Sequence, residues 1–483
     1  MANIPSIPVL RRGQIYRSLD QQPIHKIGTE EPAAMMSMAN SGIVKRDLNL
    51  LAKSRQALRE IPAHDLMEIC KKAGDHFLND TLPVGEEEFP QTPDDYVKSL
   101  SSTSGLPHAL IRMNMKKLHE VFTEMETITR GLTRGLDLAI LDKGYGDQSG
   151  VPVSYSSNTE ALGVVLPSNS PAVNALWMPA IVMKIPVMLK PGREEPWTPW
   201  RVIQSFIKAG CPKEAFSFYP TDHDGSGAII RRAGRVMMFG DDTTVSQHAH
   251  DPRIEVHGSG KSKILIGEDC IDDWEKYLDI MVESVSANSG RSCINTSAIL
   301  VPRHGDAIAE AIAKRLSDIK PLPFEDPNAK LSGFANPKMA EYINGAVEDG
   351  LNEPGARDAN AAFRGRDRHE IYQNMHYLHP SIVRCDSWEH SLANREFLFP
   401  FASVTEMPQN EMLGAIGSSL VVTAITQDQD WVEELLEHPD IDRLNLGAWP
   451  TNRVKWDQPH EGNLFEFLYK RRSIHIASLA HVS

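Results

Sequence analysis

Short apolar runs alternate with helical patterns between residues 162 and 266, and this alternation constrains the fold more than any other feature of the chain. The apolar runs occupy 162–166, 186–190, 215–219, 236–239 and 263–266. Helical patterns at 172–183 and 199–209 separate the first three runs. Strands that alternate with helices in this way are typical of a parallel sheet covered by helices. The sequence therefore predicts an α/β fold.

The regions on either side of this alternation add helices, a hairpin and further strands. Residues 45–140 are mostly helical by pattern, with apolar side chains at three- and four-residue spacing in 113–136. Residues 137–160 predict a hairpin with its turn at 144–147, where Gly-Tyr-Gly-Asp stands. The remaining predictions are strands at 297–301 and 403–406, helices at 304–319 and 337–349, and exposed loops at 321–327 and 352–368.

Composition excludes several function classes. Among 483 residues, 50 are Lys or Arg and 64 are Asp or Glu, and a net charge of −14 argues against a nucleic-acid-binding surface. The least charged stretch, 161–183, is interrupted by prolines and asparagines, so we expect no membrane span. No apolar segment follows Arg11 and Arg12, so we also expect no export signal in residues 1–28. Five cysteines without a C-x-x-C pair predict neither a disulfide framework nor a metal site, and they fit the reducing cytoplasm.

Two glycine-rich motifs are weak on their own. The segment His257-Gly-Ser-Gly-Lys-Ser262 is similar to the end of a phosphate-binding P-loop, but Glu255 stands where that motif needs glycine. Gly225-Ser-Gly227 matches only the first two glycines of the dinucleotide fingerprint, and a simple turn that opens a helix explains it as well.

A third set of motifs is specific through its order and spacing. The set comprises Pro167-Ser168-Asn169 with Trp177 and Pro179, Lys190-Pro191, Gly240, Gly260-Lys261-Ser262, Asn288-x-Gly290-x-x-Cys293, and Glu396-Phe397-Leu398-Phe399-Pro400. With these motifs the chain resembles the aldehyde dehydrogenase superfamily from about residue 140 onward. The resemblance implies a Rossmann-type cofactor domain, an α/β catalytic domain and a small β arm for oligomerisation.

The same resemblance implies how the chain divides. Residues 1–136 and 158–259 would form a helical lead-in and the NAD(P)-binding domain, 260–445 the catalytic domain, and 446–470 a return segment. Residues 137–157 and 471–483 match the regions that the family uses for oligomerisation. We therefore expect a homodimer or homotetramer, in which 475–479 supplies an edge strand to a neighbour.

Three residues carry the implied chemistry. A thiolate must add to an aldehyde before hydride can leave its carbon, and the family nucleophile matches Cys293. The tetrahedral oxygen needs preorganised donors, which by resemblance are the Asn169 amide and the backbone N–H of Cys293. The third residue, His257, occupies the position of the glutamate that activates water in hydrolytic members.

The cofactor, NAD or NADP, would contact residues on several segments. Those that the resemblance implies are Pro167, Ser168, Lys190, Pro191, Arg193, Gly227, Gly240, Glu396 and Leu398. Lys190 matches the lysine that binds the adenosine ribose, and Glu396 the glutamate that holds the nicotinamide ribose. Leu398 stands where an aromatic residue is usual, and Asp241 follows Gly240 where Ser or Thr is expected.

Arg193 leaves the choice between NAD and NADP open. NAD-preferring members tend to have glutamate at this position, where it binds the ribose hydroxyls. Arginine there would suit a 2′-phosphate through a charge-assisted pair, whereas a surface arginine paired with Glu194 or Glu195 is the structural alternative.

The acyl acceptor divides the functional hypotheses. Family members that lack the glutamate pass the acyl group to coenzyme A, so His257 predicts a CoA-acylating aldehyde dehydrogenase acting on an aldehyde or, in reverse, an acyl-CoA. A hydrolytic enzyme with His257 or Glu255 as the base is the alternative. A silent relative that only binds a nucleotide or a partner protein is a third hypothesis.

Overall fold

Two seven-stranded sheets form the centre of the protein, and the computed structural model describes them within residues 4–85 and 89–475. The first sheet has five parallel strands and an antiparallel pair at one edge. In spatial order its strands are Ile254–His257, Arg235–Phe239, Leu162–Val165, Val187–Lys190, Phe216–Phe218, Val9–Arg11 and Gln14–Tyr16. The α/β fold predicted from the alternating runs is confirmed.

The second sheet is parallel except for one edge strand. In spatial order its strands are Ala356–Asp358, Ser381–Cys385, Phe401–Glu406, Thr296–Val301, Ser262–Ile266, Ser419–Ile425 and Ile441–Leu446. Its central strands are almost continuously buried and rich in Ile, Val and Leu, as expected for strands covered on both faces.

Helices cover both sheets, and the helices between residues 41 and 132 are together called the N-terminal helical layer. Upstream of residue 260 the α-helices are Ser41–Leu48, Leu51–Arg59, Ala63–Asn79, Pro93–Ser104, His108–Thr123, Met125–Leu132, Ile140–Lys143, Pro179–Val182, Trp197–Lys208, His223–Arg232 and Asp242–Ser246. Downstream they are Leu278–Ser286, Gly305–Leu316, Pro337–Asn352, Ala361–Arg364, Gln409–Ile416, Gln429–Glu437 and Leu464–Leu468. Shorter 3-10 helices occupy Pro171–Leu176, Lys213–Ala215, Ile271–Tyr277 and Ala287–Gly290. No helix in the described part of the chain is both long and apolar enough to cross a membrane.

Two local predictions are wrong for identifiable reasons. The helix expected at 172–183 is a 3-10 helix followed by a short α-helix that begins at Pro179, because proline lacks the N–H that would continue the first helix. The expected loop 352–368 contains a strand and a helix. Its Asp358 is buried and accepts hydrogen bonds from Arg364 and Arg368, which orders the segment.

The hairpin exists, but its turn is not where the sequence placed it. Gly144–Asp147 is not the turn: Tyr145–Gln148 forms a strand that pairs with Val151–Ser157, and the turn lies at Ser149 and Gly150, which both have positive φ. Tyr469–Arg472 pairs with the other edge of Val151–Ser157. Smaller sheets join Ser6–Ile7, Pro32–Ser37 and Gln21–His25, Leu82–Pro83 with Pro90–Gln91, and His369–Tyr372 with Met375–Leu378. Residues 476–483, which include most of the expected edge strand 475–479, lie outside the described residues.

The strand order of the first sheet creates a crevice. From Leu162–Val165 the chain adds strands on one side, at Val187–Lys190 and Phe216–Phe218, and then crosses to the other side, at Arg235–Phe239. Ligands of open α/β sheets bind at the carboxyl ends of the strands where the order reverses in this way. The loops after Val165 and Phe239 therefore border the expected ligand crevice.

Buried Arg201 joins the N-terminal helical layer to the first sheet's helices. Its guanidinium donates to the backbone carbonyls of Phe77 at 2.9 Å, Gln91 at 3.2 Å and Asp80 at 2.7 Å. It also lies over the rings of Phe77 and Tyr96. Burial lowers the pKa of Arg201 to about 10, so the group remains charged at neutral pH while it satisfies three carbonyls.

We expect Arg201→Met to lower the free energy of unfolding by about 3 kcal/mol or more, because three buried carbonyls lose their donors. Denaturant unfolding followed by tryptophan fluorescence measures the change. Arg232→Met, on the exposed end of His223–Arg232, is the control and should shift stability by about 0.5 kcal/mol or less. Equal effects of the two substitutions would contradict this account of Arg201.

Candidate active site

The loop after Leu162–Val165 holds Pro167, Ser168 and Asn169 beside the end of the neighbouring strand. A Cβ atom at Gly192 would overlap Ser168 Oγ and come within 2.5 Å of the Pro167 carbonyl oxygen. Only glycine permits this approach of the two loops. The amide of Asn169 donates one hydrogen bond to the backbone carbonyl of Arg291 at 2.8 Å, which ties this loop to the segment that carries Cys293.

Three consecutive left-handed residues precede Cys293. Asn288, Ser289 and Gly290 have φ values of 52°, 59° and 65°. Non-glycine residues resist this conformation by about 1 kcal/mol each, so the surrounding contacts must hold the turn. The Asn288 amide donates to Ser170 Oγ at 3.2 Å and to Ser292 Oγ at 3.1 Å.

A side chain from the N-terminal helical layer completes the support of this turn. Asn114, on His108–Thr123, donates through its amide nitrogen to Asn288 Oδ1 at 2.9 Å. The Ser332 backbone N–H donates to Ser289 Oγ at 2.8 Å. The nucleophile loop is thus held by residues far apart in sequence, and its position does not depend on local propensity.

The segment 257–262 packs directly against Cys293. A Cβ atom at Gly260 would overlap the carbonyl oxygen of Cys293, and the Ser262 hydroxyl donates to the same oxygen at 2.9 Å. Lys261 has a φ of 46°, and its backbone N–H donates to Glu396 Oε2 at 2.6 Å. These contacts bring together the predicted nucleophile, the His257 segment and Glu396.

Glu461, which the sequence did not single out, connects the predicted nucleophile to His257. The thiol of Cys293 donates to Glu461 Oε1 at 3.1 Å. The other carboxylate oxygen, Oε2, lies 3.2 Å from Nδ1 of His257. The exposed fractions of the His257 and Glu461 side chains are 8% and 5%, so water screens this pair little. Cys293, Glu461 and His257 therefore form one continuous chain of hydrogen-bonding groups.

The electrostatics of the hydrogen-bonded groups Cys293, Glu461 and His257 favour a neutral thiol beside a charged pair of Glu461 and His257. Burial raises the pKa of Cys293 above its ordinary value, and the charges of Glu461 and Glu396 add to that shift. Burial alone would raise the pKa of Glu461, but the hydrogen bond from His257 and the charge of His460 lower it to about 2. Burial opposes the charge of His257, yet the carboxylates of Glu461 and Glu255 outweigh burial and raise the pKa of the imidazole.

A cavity of about 330 Å³ adjoins the hydrogen-bonded pair His257 and Glu461. Its lining residues are Glu255, Val256, His257, Gly258, Ser259, Gly260, Ser418, Leu420, Asp442, Glu461 and Gly462. Ser418 and Asp442 are exposed, so the cavity opens to solvent there. Nε2 of His257 and Oε2 of Glu255 are buried and have no hydrogen-bond partner among the described residues. A polar cavity of this size with orphaned donors and acceptors suits water and a small polar ligand.

Lys190 and Gly240, two of the predicted cofactor contacts, lie at the ends of strands that border the crevice. Lys190 ends Val187–Lys190, and burial lowers the pKa of its amine. Gly240 follows Arg235–Phe239, but the next helix is capped by Asp241, whose carboxylate accepts from the Thr244 N–H at 2.8 Å. A phosphate would meet this negative charge, so the helix start is a poor anion site.

The other predicted cofactor contacts lie in different local structures, and some of them are exposed. Gly227 lies inside the helix His223–Arg232, not in a turn. Arg193 is exposed. Glu195 is not its partner, because the Glu195 carboxyl is buried and accepts hydrogen bonds from the backbone N–H and the hydroxyl of Thr198. Burial raises the pKa of Glu195 to about 8. Leu398 is 37% exposed beside Glu396. Within residues 4–85 and 89–475 no group of three or more His, Cys, Asp or Glu could hold a metal ion.

Glu461 could not be identified from the sequence, because the residues around it form no recognisable motif. It follows a stretch of polar residues and prolines and precedes Gly462, whose φ is 75°. A Cβ atom at Gly462 would overlap Oε1 of Glu255, so this glycine makes room for a second carboxylate beside the first. The Glu461-Gly462 dipeptide is the only sign of this position in the sequence, and nothing there indicates the distance from Glu461 to Cys293.

Comparison with known proteins adds independent information. The profile described as the aldehyde dehydrogenase family matches residues 92–419. The chain is similar to cytosolic 10-formyltetrahydrofolate dehydrogenase of Xenopus tropicalis, at 24% identity over 273 residues, which is 52% of this chain and 28% of that protein. It is also similar to alpha-ketoglutaric semialdehyde dehydrogenase of Bacillus subtilis, at 22% identity over 265 residues, or 52% of either chain. The matches thus span about half or less of these two relatives.

Solved structures share the fold along almost the whole chain. The NAD⁺ complex of an aldehyde dehydrogenase from Bacillus cereus superposes with a TM-score of 0.75 at 16% identity, covering 98% of this chain and 97% of that one. A 3,6-anhydro-L-galactose dehydrogenase solved with NAP gives a TM-score of 0.76 at 15% identity, with 97% and 100% covered.

The hydrogen bond between Cys293 and Glu461 predicts how fast the thiol reacts with iodoacetamide. Only the thiolate is alkylated, and Glu461 raises the thiol pKa, so Glu461→Gln should move the midpoint of the rate–pH profile down by about one pH unit. Labelling reports on Cys293 because Cys70, Cys211, Cys270 and Cys385 are buried.

Glu466→Gln, on an exposed glutamate paired with Arg134, is the matched control and should leave the alkylation midpoint unchanged. A midpoint that stays constant or rises in Glu461→Gln would contradict the assigned contact.

Proposed function

Because the chain belongs to the aldehyde dehydrogenase family, we propose that it oxidises an aldehyde to a carboxylic acid with NAD or NADP as the hydride acceptor. The observation that carries this proposal is the unbroken chain from Cys293 through Glu461 to His257 at the edge of a polar cavity. Such a chain provides a nucleophile and a base at one place, which a binding protein without catalysis does not need.

The residues around the crevice fit a dinucleotide. Lys190 is a partly buried amine at the carboxyl end of a strand at the switch point, and Glu396 is held by the Lys261 backbone N–H beside the nucleophile segment. Both groups would hold ribose hydroxyls of the cofactor. Exposed Arg193 supports acceptance of the 2′-phosphate of NADP in addition to NAD. When bound, the nicotinamide supplies the acceptor for hydride.

The first chemical task of the protein is to form a thiolate and to stabilise an oxyanion. Glu461 is in contact with the Cys293 thiol and takes its proton as His257 gives up the proton on Nε2, because a neutral imidazole lowers the pKa of Glu461 less than a charged one does. As the sulfur attacks the carbonyl carbon, negative charge develops on the carbonyl oxygen. The amide of Asn169 has a second N–H besides the one bound to Arg291, and it would donate to this oxygen with the Cys293 backbone N–H.

The second task is to remove the acyl group from Cys293. We propose water as the acceptor, deprotonated by Glu461 with His257 as its partner. The orphaned Nε2 of His257 and Oε2 of Glu255 support water as the acceptor, because a water between them would satisfy both groups and would lie in the cavity that Glu461 also lines. Glu461 thereby takes the task that the family assigns to a glutamate at the position of His257.

Transfer to coenzyme A is the second candidate. It is favoured by one observation, namely that the residue at the position of the family glutamate is His257. The carboxyl groups of Glu255, Asp442 and Glu461 around the cavity weigh against it, because coenzyme A carries phosphates that an acidic surface repels.

One experiment distinguishes hydrolysis from transfer to coenzyme A. With a panel of aldehydes and NAD or NADP, we expect NAD(P)H to form without coenzyme A and the carboxylic acid to accumulate. Cys293→Ala should reduce this rate by at least about 1000-fold, because it removes the thiol that contacts Glu461. NAD(P)H formation that requires coenzyme A would replace hydrolysis by acyl transfer, and equal rates in Cys293→Ala would contradict the assigned chemistry.

A further inference from the structure

Glu255 lines two cavities, and the only role given to it above is to hold a water together with Nε2 of His257. It belongs to the same strand as His257, Ile254–His257, two residues earlier, so both side chains lie on one face of the strand. Its Oε1 is 3.9 Å from Nε2 of His257. Its Oε2 is buried without a hydrogen-bond partner among the described residues, although this carboxyl lies directly against Gly462.

The second cavity begins where the first one ends. Both are lined by Glu255, Glu461 and Gly462. The second cavity is otherwise mostly apolar, with Ile128, Leu132, Ala175, Leu176, Pro179, Met237, Trp456, Gln458, His460 and Leu464 around it. Gln458 is exposed, so the second cavity reaches the surface at this residue.

The proposed reaction makes an exit for protons necessary. Conversion of an aldehyde, water and NAD(P)⁺ into a carboxylate and NAD(P)H releases two protons at the Cys293–Glu461 pair. The second cavity offers these protons a route to solvent that, apart from three shared residues, is lined by different side chains from those of the first cavity. Both oxygens of Glu461 already accept hydrogen bonds, from the Cys293 thiol and from His257.

We propose that Glu255 is the relay residue that takes protons from Nε2 of His257 and releases them through the second cavity. In the charged His257 both ring nitrogens carry a proton. When Glu461 accepts a proton, Nε2 gives its proton to Glu255, while the Nδ1–H stays hydrogen-bonded to Glu461. The proton on Glu461 then passes through water in the first cavity, which both residues line, to Nε2 and restores the charged ring. No bond other than N–H and O–H is made or broken. Glu255 acts through His257 and does not contact the substrate. This inference rests on the proposed hydrolytic function.

The surroundings of Glu255 suit a carboxyl that alternates between its two protonation states. Burial raises the pKa of Glu255; the charge of His257 opposes this shift and that of Glu461 adds to it. The other ionisable groups around the pair are Asp442, His460 and Arg443. Burial raises the pKa of Asp442 and lowers that of His460 to about 4, so His460 is neutral near pH 7. The carboxyl of Glu255 lies 3.9 Å from Nε2 and is the proposed acceptor.

Glu255→Gln tests the relay because it keeps the shape and removes the proton acceptor. Rapid mixing of enzyme, cofactor and aldehyde should still give a burst of NAD(P)H, while steady turnover should fall by about 10- to 100-fold. Sodium formate, a small carboxylate that can enter the second cavity, should restore turnover severalfold in Glu255→Gln. Asp442→Asn removes the same charge from the first cavity only, and its turnover should not respond to formate.

The outcomes separate the two proposals. Absence of any aldehyde-dependent burst in the unsubstituted enzyme would overturn the proposed function itself. A normal burst with unchanged turnover in Glu255→Gln, slowed turnover that formate does not restore, or equal restoration in Asp442→Asn would each overturn the relay and leave the proposed function standing.

Discussion

The carboxylate of Glu461 is the constraint on which the rest of the site depends. It is a buried negative charge, and such a charge is stable in a protein only when hydrogen bonds and opposite charges surround it. His257 supplies both, and in return Glu461 raises the pKa of the imidazole. The same carboxylate accepts from the Cys293 thiol. One buried ion therefore sets the protonation of the nucleophile and of the histidine at once.

The backbone around this ion is shaped to let three segments meet. Gly260 and Gly462 stand where any side chain would overlap Cys293 and Glu255, respectively. The left-handed turn at Asn288–Gly290 directs Cys293 toward the carboxylate, and Asn114 from the N-terminal helices holds that turn. The second sheet, the first sheet and the N-terminal layer thus each contribute a contact without which the nucleophile would not face Glu461.

Much of the fold could be predicted from the sequence, because buried parallel strands leave continuous apolar runs and the covering helices leave a different spacing. The prediction of a turn at 144–147 was wrong. Gly146 lies within a strand, and a glycine there resembles a turn signal when the pairing partner of the strand is unknown. Glu461 was missed for another reason. It contacts Cys293 across 168 residues and His257 across 204, and no single-sequence pattern records contacts of that range.

Glu461 and His257 together are proposed to hydrolyse a thioester on Cys293. The most direct test of this proposal is mass spectrometry of His257→Asn, quenched at intervals after mixing with aldehyde and cofactor in the absence of coenzyme A. We expect an acyl adduct on the Cys293 peptide to accumulate in the variant and to decay within one turnover in the unsubstituted enzyme. Equally fast loss of the adduct from both proteins would contradict the proposal.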